Sequence, residues 1–436
     1  MTALRLFAIG FIFVCVSIAW GILGGTIYRR TDAADSRLQS QVVGLWGTSS
    51  LRQATPTFSL LNELTKTEIE KHVAPREPVS IIPNSNELQV ELNLDMRRKG
   101  LLWYRTYEVV FDALYEVSNP DAGERLLTVK LRLPTDQTTY DDFRFTVGDK
   151  SGLLQAVDNA PGAICERHLV GGEKVAVRVH YKARGMDDWR YSFGQGVTEA
   201  RNFTMVVHTN FDRINFPGQT LSPTTEQPRD GGWDLNWQFT RVMSGLDMGV
   251  EMPEKLQPGP WAARLSLFAP VGLLFYIFVL VVVGVLTGRN LHPMHYFFIA
   301  GGFFAFHILL AYTVDLIDMN RAFAICSVVS VLLVVSYLWR VAGAGFALGV
   351  AAPAQLAFLV LFSYAFYYPG YTGLAITIAS IISLALMMHL TARLNWEEKL
   401  GRPHASRTPG PQPPGGGPGG QPPRSPGSPA GWEGPV

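Results

Sequence analysis

Cysteine is nearly missing from this chain of 436 residues; Cys15, Cys165 and Cys326 are the only three. That is too few for a disulfide-scaffolded fold. Charge is scarce as well: Asp, Glu, Lys and Arg make up 17%, against about 25% in an ordinary soluble protein. The 37 basic and 36 acidic residues leave a formal net charge of +1, so nothing points to a nucleic-acid partner. Catalytic signatures are lacking too. The sequence contains no G-x-S-x-G, no H-E-x-x-H, no Walker loop and no C-x-x-C, the spacings that would announce a nucleophile elbow, a zinc protease, a phosphate cradle or a dithiol. A membrane-bound hydrolase would need a nucleophile and base that the sequence does not offer.

Apolar residues are plentiful. They reach 47%, and the modest mean hydropathy of +0.13 averages a polar block with a strongly apolar one. Leu6 to Ile27 carries no charge and is long enough to cross about 30 Å of hydrocarbon as a helix. A cleaved signal peptide is the competing reading. The run exceeds a signal h-region of about 7–15 residues, and no A-x-A-like site follows, so an uncleaved anchor is expected. Five more uncharged runs follow: Leu265–Leu286, Tyr296–Val314, Ala322–Trp339, Gly345–Tyr367 and Tyr371–Ala392. Backbone groups cannot stay unpaired in lipid, so each is predicted to be helical. Gly345 and Gly349 form a G-x-x-x-G that predicts close helix packing, Gly301 and Gly302 are read the same way, and Pro353 should kink the fifth span.

Lys and Arg in short loops set orientation. Arg289, Arg340 and the group Arg393, Lys399 and Arg402 occupy one side; Asp315, Asp318 and Arg321 occupy the other. This places the C-terminal side in the cytoplasm and the block from about Arg29 to Arg264 outside. Arg29 and Arg30, at the outer end of the first span against Arg5 at the inner end, run against this trend.

In the exported block, Asp32 is read as the cap of a short separate helix. Beyond residue 78 the pattern becomes period two. VKLRL (129–133), FRFTV (143–147), KVAVRVHY (174–181), WRYSF (189–193), FTMVVH (203–208) and LNWQF (235–239) alternate apolar with polar residues, as half-buried antiparallel strands do. Cys165 is alone in this block, so no internal disulfide can form there. The segment after Gly401 is mostly Pro and Gly and is expected to be disordered.

The chain is thus read as an α+β membrane protein: an N-terminal transmembrane anchor (1–28), a β-rich, sandwich-like exported domain (29–263), which the resemblance given below makes periplasmic, a C-terminal five-helix transmembrane bundle (264–396) and a Pro/Gly-rich cytoplasmic tail (397–436). His307 lies mid-span, where an ionisable group is costly and usually faces the bundle interior. With Asp315 and Asp318, expected on one helix face, and Arg321 as ion-pair partner of one of them, it is the candidate for a proton or ion pathway; interhelical hydrogen bonding plus a solvated loop is the plainer reading. His292 and His295 in LHPMH fall short of a metal shell, and Pro293 suits the first turn of the third span. No cofactor is expected.

Several stretches together resemble the CreD-type inner-membrane protein family of bacteria: LHPMHYFFIAGGFFAFHILLAY (291–312), LVVSYLW (333–339), LVLFSYAFYYPGYTGL (359–374) and MMHLTARLNW (387–396), with Leu45-Trp46-Gly47 and GWDLNWQF (232–239). The family's Gly-Pro near 54–56 reads here as Ala54-Thr55-Pro56. The resemblance implies a non-enzymatic role in cell-envelope integrity or stress response, with the lipid bilayer and envelope proteins as partners, and supplies no catalytic residues. A small transporter using His307, Gln355 and Ser363 is the competing function.

Overall fold

A computed structural model describes residues 3–62, 76–100, 102–194, 196, 198–289, 291–368 and 370–392. Among the described residues, five helices are long and apolar enough to cross a membrane: α1 (Ala3–Trp46), α2 (Pro258–Leu286), α3 (Pro293–Thr313), α4 (Met319–Ala342) and α5 (Ala344–Tyr367). A sixth apolar helix, α6, runs over Thr372–Thr391. The expected Pro/Gly-rich tail lies outside the described residues.

Helix α1 departs from expectation. It is one continuous helix of 44 residues, about 66 Å long at 1.5 Å per residue. Asp32 does not cap a second helix; its carbonyl accepts from Ser36 Oγ inside the first. No Gly or Pro occurs between Thr26 and Val43, and extending an existing helix costs far less than nucleating a new one. The first half of α1 leaves Leu4, Phe7, Phe11, Val14, Ile18 and Ile22 exposed, a stripe suited to lipid. The opposite side buries Ile9, Trp20 and Ile27 against the other helices.

Close approach inside the bundle does not fall at the G-x-x-x-G. A Cβ on Gly345, Gly349 or Gly301 would meet nothing within 4 Å. It would instead lie 2.3 Å from the Phe358 carbonyl at Gly272 and 2.5 Å from Val334 Cγ2 at Gly302. These two glycines let α2 meet α5 and α3 meet α4. Around Pro353, α5 winds into π-helical turns at Ala347–Ala351 and Leu356–Leu361, which take up the hydrogen bond that proline cannot donate.

The polar block forms strands β1 (Ser50–Ala54), β2 (Thr57–Leu61), β3 (Val79–Ile81), β4 (Ser85–Leu94), β5 (Arg97–Lys99) and β6 (Leu102–Tyr104). Next come β7 (Thr106–Ser118), β8 (Arg125–Arg132), β9 (Tyr140–Val147), β10 (Lys150–Ser151), β11 (Leu153–Leu154) and β12 (Gly162–Leu169). The last six are β13 (Lys174–Met186), β14 (Asp188–Ser192), β15 (Thr198–Thr209), β16 (Thr225–Arg229), β17 (Gly232–Ser244) and β18 (Met248–Glu251). The six alternating runs of the sequence fall on β8, β9, β13, β14, β15 and β17.

An eight-stranded sheet has the order β10-β9-β13-β7-β4-β15-β17-β16, antiparallel except where β15 runs parallel to β4. Five strands (β11-β12-β8-β2-β3) and three (β1-β14-β18) form two further sheets. Their apolar faces share one core. Val109, Phe111 and Tyr115 of β7, with Val177, Val179 and Tyr181 of β13, pack with Phe58, Val129, Trp189 and Tyr191. Tyr181 Oη donates to Gln53 Oε1 at 2.7 Å, so the buried hydroxyl is satisfied.

Candidate functional site

Three places bear on function: the joint between the β-rich domain and the helices, the bundle interior, and the outer face of the large sheet.

The joint is built from α1, the β5–β6 hairpin and the α3–α4 loop. Arg30 Nη2 lies 2.7 Å from Asp315 Oδ2 and donates to the Ala311 carbonyl at 3.1 Å. Arg98 Nη2 donates to the Asp315 backbone carbonyl at 2.8 Å. Gln257, just before α2, pairs with the backbone of Trp103 in both directions: Oε1 accepts from its N–H at 3.1 Å and Nε2 donates to its carbonyl at 2.5 Å. Tyr104 donates to Asp35 Oδ1 at 3.2 Å, and burial followed by the Asp35 charge pushes its hydroxyl up to about 12. Arg105 grips Asp187 and Glu251, each at 3.0 Å. Burial opposes its charge, but these carboxylates outweigh that and raise its pKa. The guanidinium groups of Arg97 and Arg184 each stand over the ring of Trp46, at the end of α1, 5.1 Å from its centroid.

The aspartate expectation is therefore corrected. Asp315 pairs with Arg30, not Arg321. The two aspartates do not share a helix face, because both lie in the loop after α3. Asp318 caps α4, accepting from the backbone N–H groups of Asn320 and Arg321 at 3.0 and 3.3 Å. The chain bends here because a short side chain with acceptor oxygens starts a helix well.

His307 is 2% exposed. Its Nδ1 faces the Phe303 carbonyl at 3.1 Å, and its ring meets Trp20 edge-on at 5.4 Å and Phe306 at 4.8 Å. Asp315 is eight residues further along the chain, about 12 Å at helical rise. The structure sets His307 among aromatic rings and does not join it to the loop carboxylates. Another polar group does sit inside the bundle: Gln355 Nε2 donates to Ser330 Oγ at 3.0 Å, and Ser330 donates to the Gly302 carbonyl at 2.7 Å.

At the end of the bundle far from the β-rich domain, His292 caps α3, its Nδ1 accepting from Met294 N at 3.3 Å, and Pro293 takes the first helical position. His295 Nδ1 lies 2.8 Å from Tyr337 Oη. Among the described residues, no group of three His, Cys, Asp or Glu side chains is placed to hold a metal ion.

The outer face of the eight-stranded sheet is the cluster that sequence reasoning missed. Alternation along β13 turns Arg178 and His180 away from the core. His180 stands between two carboxylates, with Nδ1 2.7 Å from Asp112 and Nε2 3.2 Å from Asp142. Arg144 reaches Asp142 at 2.6 Å and, ahead of His180, holds the Asp142 carboxyl below the usual carboxylate range. Asp142 adopts φ 52° beside a register shift between β9 and β13. The bulge aims its side chain along the sheet. Asp112, Arg144, Arg178 and His180, with Glu87, Gln89, Thr146 and Thr204 and the apolar Leu88, Leu114, Val179 and Val206, line an open hollow of about 930 Å³. Nearby, Glu199 binds Arg201 and Arg241, which lower its pKa. The alternation of KVAVRVHY was a usable signal for Arg178 and His180. Asp112 and Asp142 become their neighbours only through strand pairing.

No protein-family model matches the chain, and no curated protein matches it. Among solved structures, it is similar to a putative nutrient binding protein from Legionella pneumophila subsp. pneumophila str. Philadelphia 1, at 11% identity and a TM-score of 0.29, covering 45% of this chain and 74% of that one. It is also similar to a two-domain M1 zinc metallopeptidase mutant bound to L-tryptophan, at 12% identity and a TM-score of 0.22, covering 40% of this chain and 44% of that one.

Proposed function

We propose that the chain is a non-enzymatic bacterial inner-membrane protein of the CreD type. Its β-rich domain stands in the periplasm as a binding or scaffold module for envelope components, and its helices hold that module at the membrane. The observation that carries this reading is the outer sheet face, where Asp112, Arg144, Arg178 and His180 line an open hollow and Asp142 pairs with Arg144 and His180 beside it. Such a surface offers a partner charge and hydrogen bonds beside apolar side chains.

Orientation is supported by the distribution of charge. The C-terminal end of α1 and the N-terminal end of α2 both enter the β-rich domain, so that domain lies on one side. Arg5, Arg289 and Arg340 mark the other, which the positive-inside rule makes cytoplasmic. Of Arg29 and Arg30, which run against the rule, Arg30 is paired with Asp315.

The test uses the full-length protein in cells. Replacing Arg178 and His180 together with alanine is expected to abolish resistance to envelope stress at unchanged protein level, while His307→Leu leaves it intact. The reverse outcome favours a small transporter or channel working through the bundle, a reading that rests on the buried Gln355–Ser330 pair, whose Gln355 Oε1 has no hydrogen-bond partner. Cleavage of the β-rich domain by protease added to intact spheroplasts tests the topology.

A further inference from the structure

The bundle carries a cleft on its flank between α3 and α4. Gly302 lies against Val334, where the two helices touch. Beyond that contact they part, leaving about 520 Å³ lined by Phe297, Phe298, Gly301, Leu333, Tyr337 and Arg340. This volume falls within the roughly 300–1,000 Å³ of small-molecule sites. Gly301 keeps the floor open, since a Cβ there would meet nothing within 4 Å.

The two ends of the cleft differ. Toward the middle of the bundle the walls are Gly301, Gly302, Leu333 and Val334, while Phe297 and Phe298 stand level with Tyr337, whose ring is 5.5 Å from Phe298. At the far end stand the Tyr337 hydroxyl, fixed by His295 at 2.8 Å, and the exposed Arg340, which makes no ion pair among the described residues. The surroundings add charge of the same sign. Arg5 and Arg289 lie at this end; between Arg264 and Trp396 the only carboxylates of the sequence are Asp315 and Asp318, both at the opposite end, and Glu397 and Glu398 follow with Arg393, Lys399 and Arg402. A basic pocket between membrane helices on the cytoplasmic side suits an anionic lipid head group.

We propose that this cleft seats one acyl chain of an anionic phospholipid, with Arg340 and the Tyr337 hydroxyl on its phosphate. Arg340 supplies charge-assisted hydrogen bonds to phosphate oxygens, and the apolar walls take the chain. The inference does not depend on what the outer sheet face binds. It rests on the helices crossing a bilayer.

The full-length protein, purified in mild detergent and exchanged into bilayer discs of equal phosphatidylglycerol and phosphatidylcholine, is delipidated after washing. The retained lipids are then counted by mass spectrometry. Wild type is expected to enrich phosphatidylglycerol, and Arg340→Gln to cut that enrichment about fivefold, the effect of one basic residue near the surface. Arg340→Lys should keep part of the preference, and Gly301→Leu should lower retention of both lipids by filling the cleft. Should Arg340→Gln fail to fold, the wild-type preference must still collapse in high salt, which screens an exposed arginine. Equal retention of the two lipids by wild type overturns the proposal, as does an unchanged preference in a folded Arg340→Gln protein. Recovery of the chain from a detergent-free supernatant would overturn the membrane reading itself.

Discussion

Arg30 and Asp315 are 285 positions apart in sequence and 2.7 Å apart in the fold. The carboxylate is 8% exposed and the guanidinium 43%, so the pair is neither buried nor free in solvent. It closes the joint at which α1, the β5–β6 hairpin and the α3–α4 loop meet.

Removing either partner should loosen that joint. Arg30→Ala and Asp315→Asn are each expected to lower the melting temperature in detergent. In a double-mutant cycle the two changes should couple by about 1 kcal/mol, after allowance for the solvent screening of Arg30. Fully additive effects would show that the pair contributes nothing.

Two glycines in the bundle should respond oppositely. Gly272→Ala drives a methyl group onto the Phe358 carbonyl and is expected to cost on the order of 1–3 kcal/mol. Gly345→Ala enters open space and is expected to be neutral or slightly stabilising. Thermal denaturation of the two variants in the same detergent checks the contrast.

Tyr104 gives an alkaline signature. Its folded pKa, about 12, lies above the unfolded value of about 10. The folded state therefore keeps its proton longer than the unfolded chain, and the stability this contributes is present below pH 10 and declines as pH rises toward 12. Tyr104→Phe should flatten that decline in denaturation curves measured across the range. An equally steep loss in the variant would remove Tyr104 as its source.

Asp142 behaves in the opposite sense. Arg144 and His180 depress its pKa, so its contribution is present above the ordinary carboxyl range near 4 and is lost as pH falls through the lower folded value. Asp142→Asn should therefore weaken the acid sensitivity of the β-rich domain. An NMR titration of the carboxyl carbon reads the shift directly.

Much of the architecture was legible because two periodicities are hard to confuse. Uncharged runs such as Leu265–Leu286 exceed what a soluble helix needs, and VKLRL or FTMVVH alternates as a half-buried strand must. The polar groups were harder to place. Asp315 sits close to Arg321 in sequence, yet its partner arrives from α1. Asp112 and Asp142 meet His180 only because β7 and β9 flank β13, a pairing that no local pattern encodes. The G-x-x-x-G misled for a related reason. The motif reports that a close approach is sterically allowed, and tertiary packing placed close approaches at Gly24, Gly259, Gly272 and Gly302 instead. The continuity of α1 could have been read from the lack of any breaker between Thr26 and Val43.

That unbroken helix works as an axle. A rigid rod has no joint in which to absorb twist, so any roll of its lower half among α2 and α3 reappears undiminished at Trp46, where Arg97 and Arg184 stand over the ring. A single inserted residue near Arg30 would turn everything beyond it by about 100°, forcing the β-rich domain to swivel or those contacts to open.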